Sequence, residues 1–133
     1  MTESVTVRYT GATPGADSNT YPIFSSVTAF PGCGMAQNTG LKRLFVTIDN
    51  PQSGTLKLYR CNDGIGGSTT ARGTNWVQVG GDFAVTASAT DVATFDGLIE
   101  GFPDFKLDFV NGGTAQTGWT VTIALSGERS AAV

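Results

Sequence analysis

The chain has 133 residues, 40% of them hydrophobic and only 14% charged, with a net charge of −3 from eight basic and eleven acidic side chains. One domain with one core is the expectation for this length. Histidine is absent, which removes the commonest general base and metal ligand, and the basic residues are scattered rather than gathered into the stripe that a phosphate backbone requires. Nucleic acid is therefore not an expected partner. Nor is a membrane, because no apolar run approaches the roughly 18 residues of a spanning helix.

Along the chain, apolar residues recur with a period of two, the mark of half-buried antiparallel strands. The opening, Met1 to Tyr9, has no signal-peptide pattern; it predicts folding in a reducing cytoplasm, with Cys33 and Cys61 as thiols rather than a bridge. Val5, Val7 and Tyr9 alternate in a first strand near 4–9, and a second is expected near 22–28. In the third, 41–49, Leu44, Val46 and Ile48 share one face, which leaves Phe45 on the other. The fourth, 55–61, sets Leu56 and Leu58 against Tyr59. Five more are expected at 75–79, 83–88, 94–100, 104–110 and 118–126. In the last two, Phe105, Leu107 and Phe109, then Trp119, Val121, Ile123 and Leu125, form clean apolar faces. No helical period appears; Thr86 to Phe95, the best helix candidate, is rich in β-branched residues and lacks the 3.6 spacing.

Turn chemistry predicts three hairpins. Asn50-Pro51-Gln52-Ser53-Gly54 should join strands 41–49 and 55–61. Gly80-Gly81-Asp82 should join 75–79 and 83–88, and Asn111-Gly112-Gly113-Thr114 should return the chain into the Trp119 strand. Longer loops are expected at 10–20, 30–40 and 62–74. The expected architecture is all-β: a single antiparallel two-sheet sandwich over residues 1–133, with 126–133 a candidate loose tail. A jelly roll is preferred to an immunoglobulin-like Greek key, because the strand count is high and no Cys–Trp–Cys spacing is present.

Candidate chemistry is sparse. A nucleophilic triad needs a histidine, and the glycine-rich segment 62–74 lacks the Gly-Lys-Ser/Thr ending of a phosphate loop. Asp63-Gly64 and Asn111-Gly112-Gly113 have no spaced acidic residues around them for calcium. Asp104 and Asp108 lie four residues apart on one strand, about 13 Å, beyond the roughly 5–9.5 Å that glycosidase carboxylates need. With Lys106 between them they read as a solvated charge ladder. No enzyme, cofactor or metal is expected, and no catalytic residue. Phe45, Tyr59, Phe30 and Phe102 are the interface candidates: two outward-facing rings and two turn rings, suited to stacking or anchoring. Tyr59 to Gly64 and Gly73 to Trp76 also look like the two halves of an interrupted Asp-box, which predicts that strands 55–61 and 75–79 pair around the intervening segment.

The segments Gly54 to Arg60, Gly80 to Val85 and Glu100 to Leu107, followed by Trp119-Thr120-Val121, resemble small structural proteins of tailed bacteriophages, namely head decoration (cement) proteins of the jelly-roll type. The resemblance covers residues 41–126 and rests on arrangement rather than on a diagnostic motif. It implies a non-enzymatic virion protein, made in the host cytoplasm, that sits on the outer capsid surface and bridges major capsid protein subunits. It also implies self-association as a homodimer or homotrimer, with contacts through the terminal segments and the loops 10–20, 30–40 and 62–74, and with outward aromatics such as Phe45 and Tyr59 buried between copies. The alternative is a carbohydrate- or receptor-binding module of a phage tail or a lectin-like protein.

Overall fold

The structure, a computed structural model, describes residues 2–25, 41–61, 76–96 and 104–128. Eight strands run in chain order as β1 (Thr2–Arg8), β2 (Thr20–Ser25), β3 (Leu41–Asp49), β4 (Gly54–Cys61), β5 (Trp76–Val85), β6 (Thr90–Asp96), β7 (Asp104–Asn111) and β8 (Thr120–Glu128). They form two antiparallel four-stranded sheets, β1-β8-β3-β6 and β2-β7-β4-β5, and no helix occurs among the described residues. First pairs with last, second with seventh, third with sixth and fourth with fifth. That nesting arises when one long antiparallel ribbon is rolled up, with β3·β8 and β4·β7 closing the two sheets. It is the strand order of a jelly roll, as the alternation and strand number suggested.

Alternation decides what lies between the sheets. Leu44, Val46, Ile48, Val121, Ile123 and Leu125 from the first sheet meet Leu56, Leu58, Phe105, Leu107 and Phe109 from the second, all fully or almost fully buried. Each such side chain contributes about 1.5–3 kcal/mol relative to exposure. Rings fill the wider gaps: Phe109 packs 5.3 Å from Trp119, Tyr9 closes on Trp119 edge-to-face at 5.6 Å, and Phe24 stacks on Phe105 at 5.5 Å. Phe83 and Phe95 meet at 6.5 Å and join the β5 and β6 edges.

None of the three expected hairpins forms. The links 50–53 and 112–119 each carry the chain from one sheet to the other, so β3 does not pair with β4, nor β7 with β8. A short polar link with special backbone angles serves a sheet crossing as well as a hairpin, and Asn50 (φ 53°) and Gly113 (φ 103°) are such positions. The third hairpin is a bulge. The sequence predicts two strands at 75–79 and 83–88, whereas Trp76–Val85 is one strand, so the described residues hold eight strands rather than nine. Leu56 lies opposite Phe83 and Leu58 opposite Val79, so Lys57 alone faces three residues of β5. Gly80 (φ 79°) and Gly81 (φ 71°) absorb the two extra residues, a conformation that suits glycine in a bulge as in a turn. The Asp-box expectation fares better, since β4 and β5 do pair, with Cys61 opposite Trp76.

One end of the sandwich is braced by two buried amides. Asn111 and Gln116, 2% and 4% exposed, are joined by a 2.9 Å bond from Gln116 Nε2 to Asn111 Oδ1. Asn111 Nδ2 donates to the carbonyls of Gly15, Asp17 and Thr114. Gln116 exchanges hydrogen bonds with the Gln52 backbone, its Oε1 accepting from Gln52 N at 2.7 Å. Three connections, 9–19, 50–53 and 112–119, are thereby tied together. A fourth joins through Asn50 N to Ala89 O and Ser88 N to Pro51 O. Buried amides whose donors and acceptors are met in this way fix loop geometry.

Candidate interaction surfaces

Because the inner faces are spent on the core, any interface must use the outer faces, the loops or the sheet edges. On the first sheet, the outer face is built from the residues between the buried ones. Phe45 lies opposite Ala124 on β8 and Thr94 on β6; Thr47 lies opposite Thr122 and Val92. Phe45 is half-buried among these small neighbours, and Val92 is 52% exposed. Among the described residues, the charges lie on the edge strand, where exposed Arg8 is opposite Thr122, and at the strand ends. Arg43 Nε reaches Asp96 Oδ1 at 3.4 Å, and the Asp49 carboxylate accepts from the Thr90 and Thr120 hydroxyls at 3.2 and 3.0 Å. This face is neutral, with hydroxyls around an apolar centre.

The outer face of the second sheet is different. Tyr59 lies opposite Lys106 on β7 and Gln78 on β5. The Lys106 ammonium sits 5.2 Å from the Tyr59 ring centre and 4.9 Å from that of Trp76, which gathers a cation and two rings through cation–π attraction. Beside them, Lys57 pairs with Asp82 at 3.0 Å, and Gln78 donates to the same Asp82 oxygen at 2.6 Å, pinning the bulge. These contacts hold the Asp82 carboxyl below its usual range.

Asp108 corrects the expectation of a solvated ladder. It lies between Pro22 and Lys57 on the outer face yet is only 8% exposed. Burial raises its pKa, and the charge on Lys106 opposes that rise. Both neighbouring lysines are engaged elsewhere, Lys57 with Asp82 and Lys106 with the rings. Lys106 is a ring-capping cation rather than a rung.

Phe45 and Tyr59 thus both face away from the core, as the alternation predicts, but on opposite sides of the molecule; the structure does not bring them together. Phe30 and Phe102, the loops 30–40 and 62–74, and any Cys33–Cys61 relation lie outside the described residues. Val92 is not singled out by the sequence, Trp76 enters there only through the Asp-box, and Lys106 and Asp108 read there as a charge ladder rather than as part of an interaction surface. Trp76 next to Tyr59 could have been suspected from the Asp-box pairing, but Lys106 could not, since its place depends on β7 lying beside β4.

No family model matches the chain, and no curated protein matches it. Among solved structures, it resembles a chain of infectious bursal disease virus, Gx strain (TM-score 0.48, 17% identity), over 94% of this chain and 31% of that one. It also resembles the Bacillus endospore appendage pili (TM-score 0.47, 10% identity, 98% and 88% covered) and the Tobacco streak virus coat protein (TM-score 0.47, 14% identity, 98% and 87% covered). The chain spans about a third of the bursal disease virus chain it matches. These likenesses concern the fold alone, and the jelly-roll assignment rests on the strand order.

Proposed function

We propose that the protein is a non-enzymatic structural component of a tailed-phage virion that decorates the outer capsid surface, bridges major capsid protein subunits and associates with itself. The observation that carries this reading is the neutral outer face of the first sheet, where Phe45 and Val92 stand among threonines, with the charges of the described residues on the edge strand and at the strand ends. Such a centre and rim suit burial against another protein. The sequence resemblance to decoration proteins points the same way. Co-sedimentation with purified phage heads tests it: binding to expanded or mature heads is expected, and Phe45→Asp should reduce it. Failure to bind any head form would overturn the reading.

The second outer face favours one other function. Tyr59, Trp76 and Lys106 beside the buried Asp108 carboxylate combine ring faces with a hydrogen-bond acceptor, as a carbohydrate-binding module does. A sugar that binds only the folded chain raises its melting temperature. A thermal-shift screen with mono- and oligosaccharides that gives no shift at saturating concentration would discard this alternative.

A further inference from the structure

We infer that the β1 edge is a self-association site, at which β1 of a second copy adds antiparallel to β1 and continues the first sheet across a two-fold axis. The inference deepens the self-association in the reading above, but it stands on strand geometry alone.

A sheet edge presents unpaired amides and carbonyls, and soluble proteins blunt such edges with prolines, bulges or charges. Three of the four edges here are blunted. On β2, Asn111 N donates to Asn19 O, and the register from that pair places Pro22 where its nitrogen faces outward. Proline is tolerated at such a position because no ladder bond is lost. The same strand shifts register between Pro22 and Phe24. On β5, the Gly80-Gly81 bulge breaks the edge. On β6, the bond from Asn50 N to Ala89 O fixes which amides face outward. Val92 N is one of them, and it is capped by Asp91 Oδ1 at 3.0 Å.

The remaining edge, β1, has neither proline nor bulge among the described residues, and its two charged positions, Glu3 and Arg8, lie towards its ends. All seven of its residues pair with β8 without a register shift. Tyr9 N donates to Val121 O, so odd-numbered residues bond to β8 and the amides of Ser4, Thr6 and Arg8 point away from it. Thr6 and Arg8 are exposed. Beside this edge, an apolar groove of about 280 Å³ opens between β1 and β2, lined by Val7, Tyr9, Ile23 and Phe24. Among the described residues this edge has no further strand beside it, and a hydrogen-bonding edge next to an apolar groove is what strand addition uses.

β1 itself is a suitable occupant. A two-fold axis normal to the sheet keeps both copies facing the same way, so outward-bonding even positions meet even positions. With Thr6 opposite its own copy, Ser4 lies opposite Arg8 and Val5 opposite Val7. The strand has Glu3 near one end and Arg8 at the other. Antiparallel pairing sets each Arg8 opposite Ser4 of the other copy and away from the other Arg8, whereas parallel pairing would align the like charges. The other edge of this sheet, β6, carries Asp91 and Asp96 and no basic residue, which disfavours pairing with itself.

Sedimentation velocity of the full chain over a concentration range tests the site. A species of twice the chain mass is expected, growing with concentration. Thr6→Pro removes an outward amide without touching the β8 ladder and should leave only monomer, with unchanged far-UV circular dichroism. Thr6→Lys retains the amide and sets two charges together at the axis, so it should also give monomer even if the proline variant fails to fold. Val92→Lys, on the far edge, should keep the dimer. A wild-type chain that stays monomeric throughout, or a dimer that survives Thr6→Lys, overturns the inference. Head binding by the wild-type chain and its loss in Phe45→Asp read the capsid function separately, since Thr6 shares the outer row of Ala124 and Phe45.

Discussion

The two sheets present nearly the same surface to the core and opposite chemistries to the outside. Inward, both are walls of Leu, Ile, Val and Phe. Outward, the first is hydroxyl-rich around Phe45, whereas the second gathers two lysines, two carboxylates and two rings. The inner faces are constrained by the need to pack at high density, so they converge. The outer faces answer to no shared packing constraint, so they are free to diverge.

The contrast between inside and outside is broken most severely at Phe109. Phe109→Ala should cost about 3–5 kcal/mol, read by denaturant unfolding, because the ring is fully buried against Trp119 and its loss opens a cavity between the sheets. A lesion of comparable kind comes from the opposite change: Gly54→Ala builds a Cβ into the Phe109 ring and the Val110 carbonyl, which should cost about 1–3 kcal/mol by overpacking. At the braced end, Asn111→Ala leaves the Gln116 amide and three loop carbonyls without their partner. About 1–3 kcal/mol should be lost, with faster amide exchange in all three tied loops.

Asp108 sharpens the comparison between the two outer faces, because its effect has the opposite sign. Its pKa is raised in the folded state, so the folded protein holds the proton more tightly than the unfolded chain. The ionised carboxylate therefore opposes folding, and its penalty appears as pH rises from the unfolded value through the folded one. Asp108→Asn should raise the melting temperature at neutral pH, with the gain vanishing on acidification below the unfolded pKa. A melting temperature unchanged at neutral pH would show that the site is better solvated than its burial implies. The smallest effect belongs to the first sheet: Phe45→Thr should change the unfolding free energy of the monomer by only about 0.5–1 kcal/mol, since the ring is half-buried.

The same distinction explains what could be read from the sequence. Facing was legible, because a strand's period is fixed at two: Leu44, Val46 and Ile48 lie inside and Phe45 outside, and Trp119 to Leu125 behave likewise. Pairing was not. Asn50-Pro51 and Asn111-Gly112-Gly113 have the residues of hairpin turns, yet whether the next strand lies beside the last or across from it depends on distant partners. Gly80-Gly81 failed for a related reason, since positive φ serves turns and bulges alike. The neighbours of Tyr59 follow from pairing, so Lys106 and the burial of Asp108 were hidden with it, whereas the outward direction of Tyr59 was plain.

The place of β8 between β1 and β3 has a consequence for how the molecule is made. During synthesis the ribosome delivers β1 and β3 long before the strand that must lie between them. The first sheet has no centre until residues 120–128 emerge, while β4 and β5, adjacent in the chain, can pair early. Most of the remaining pairings close long loops, and such topologies fold slowly, in milliseconds to seconds. Until the last strand docks, β1 and β3 both offer unpaired edges, so a chain stalled or cut short before Thr120 would be the form most prone to aggregate.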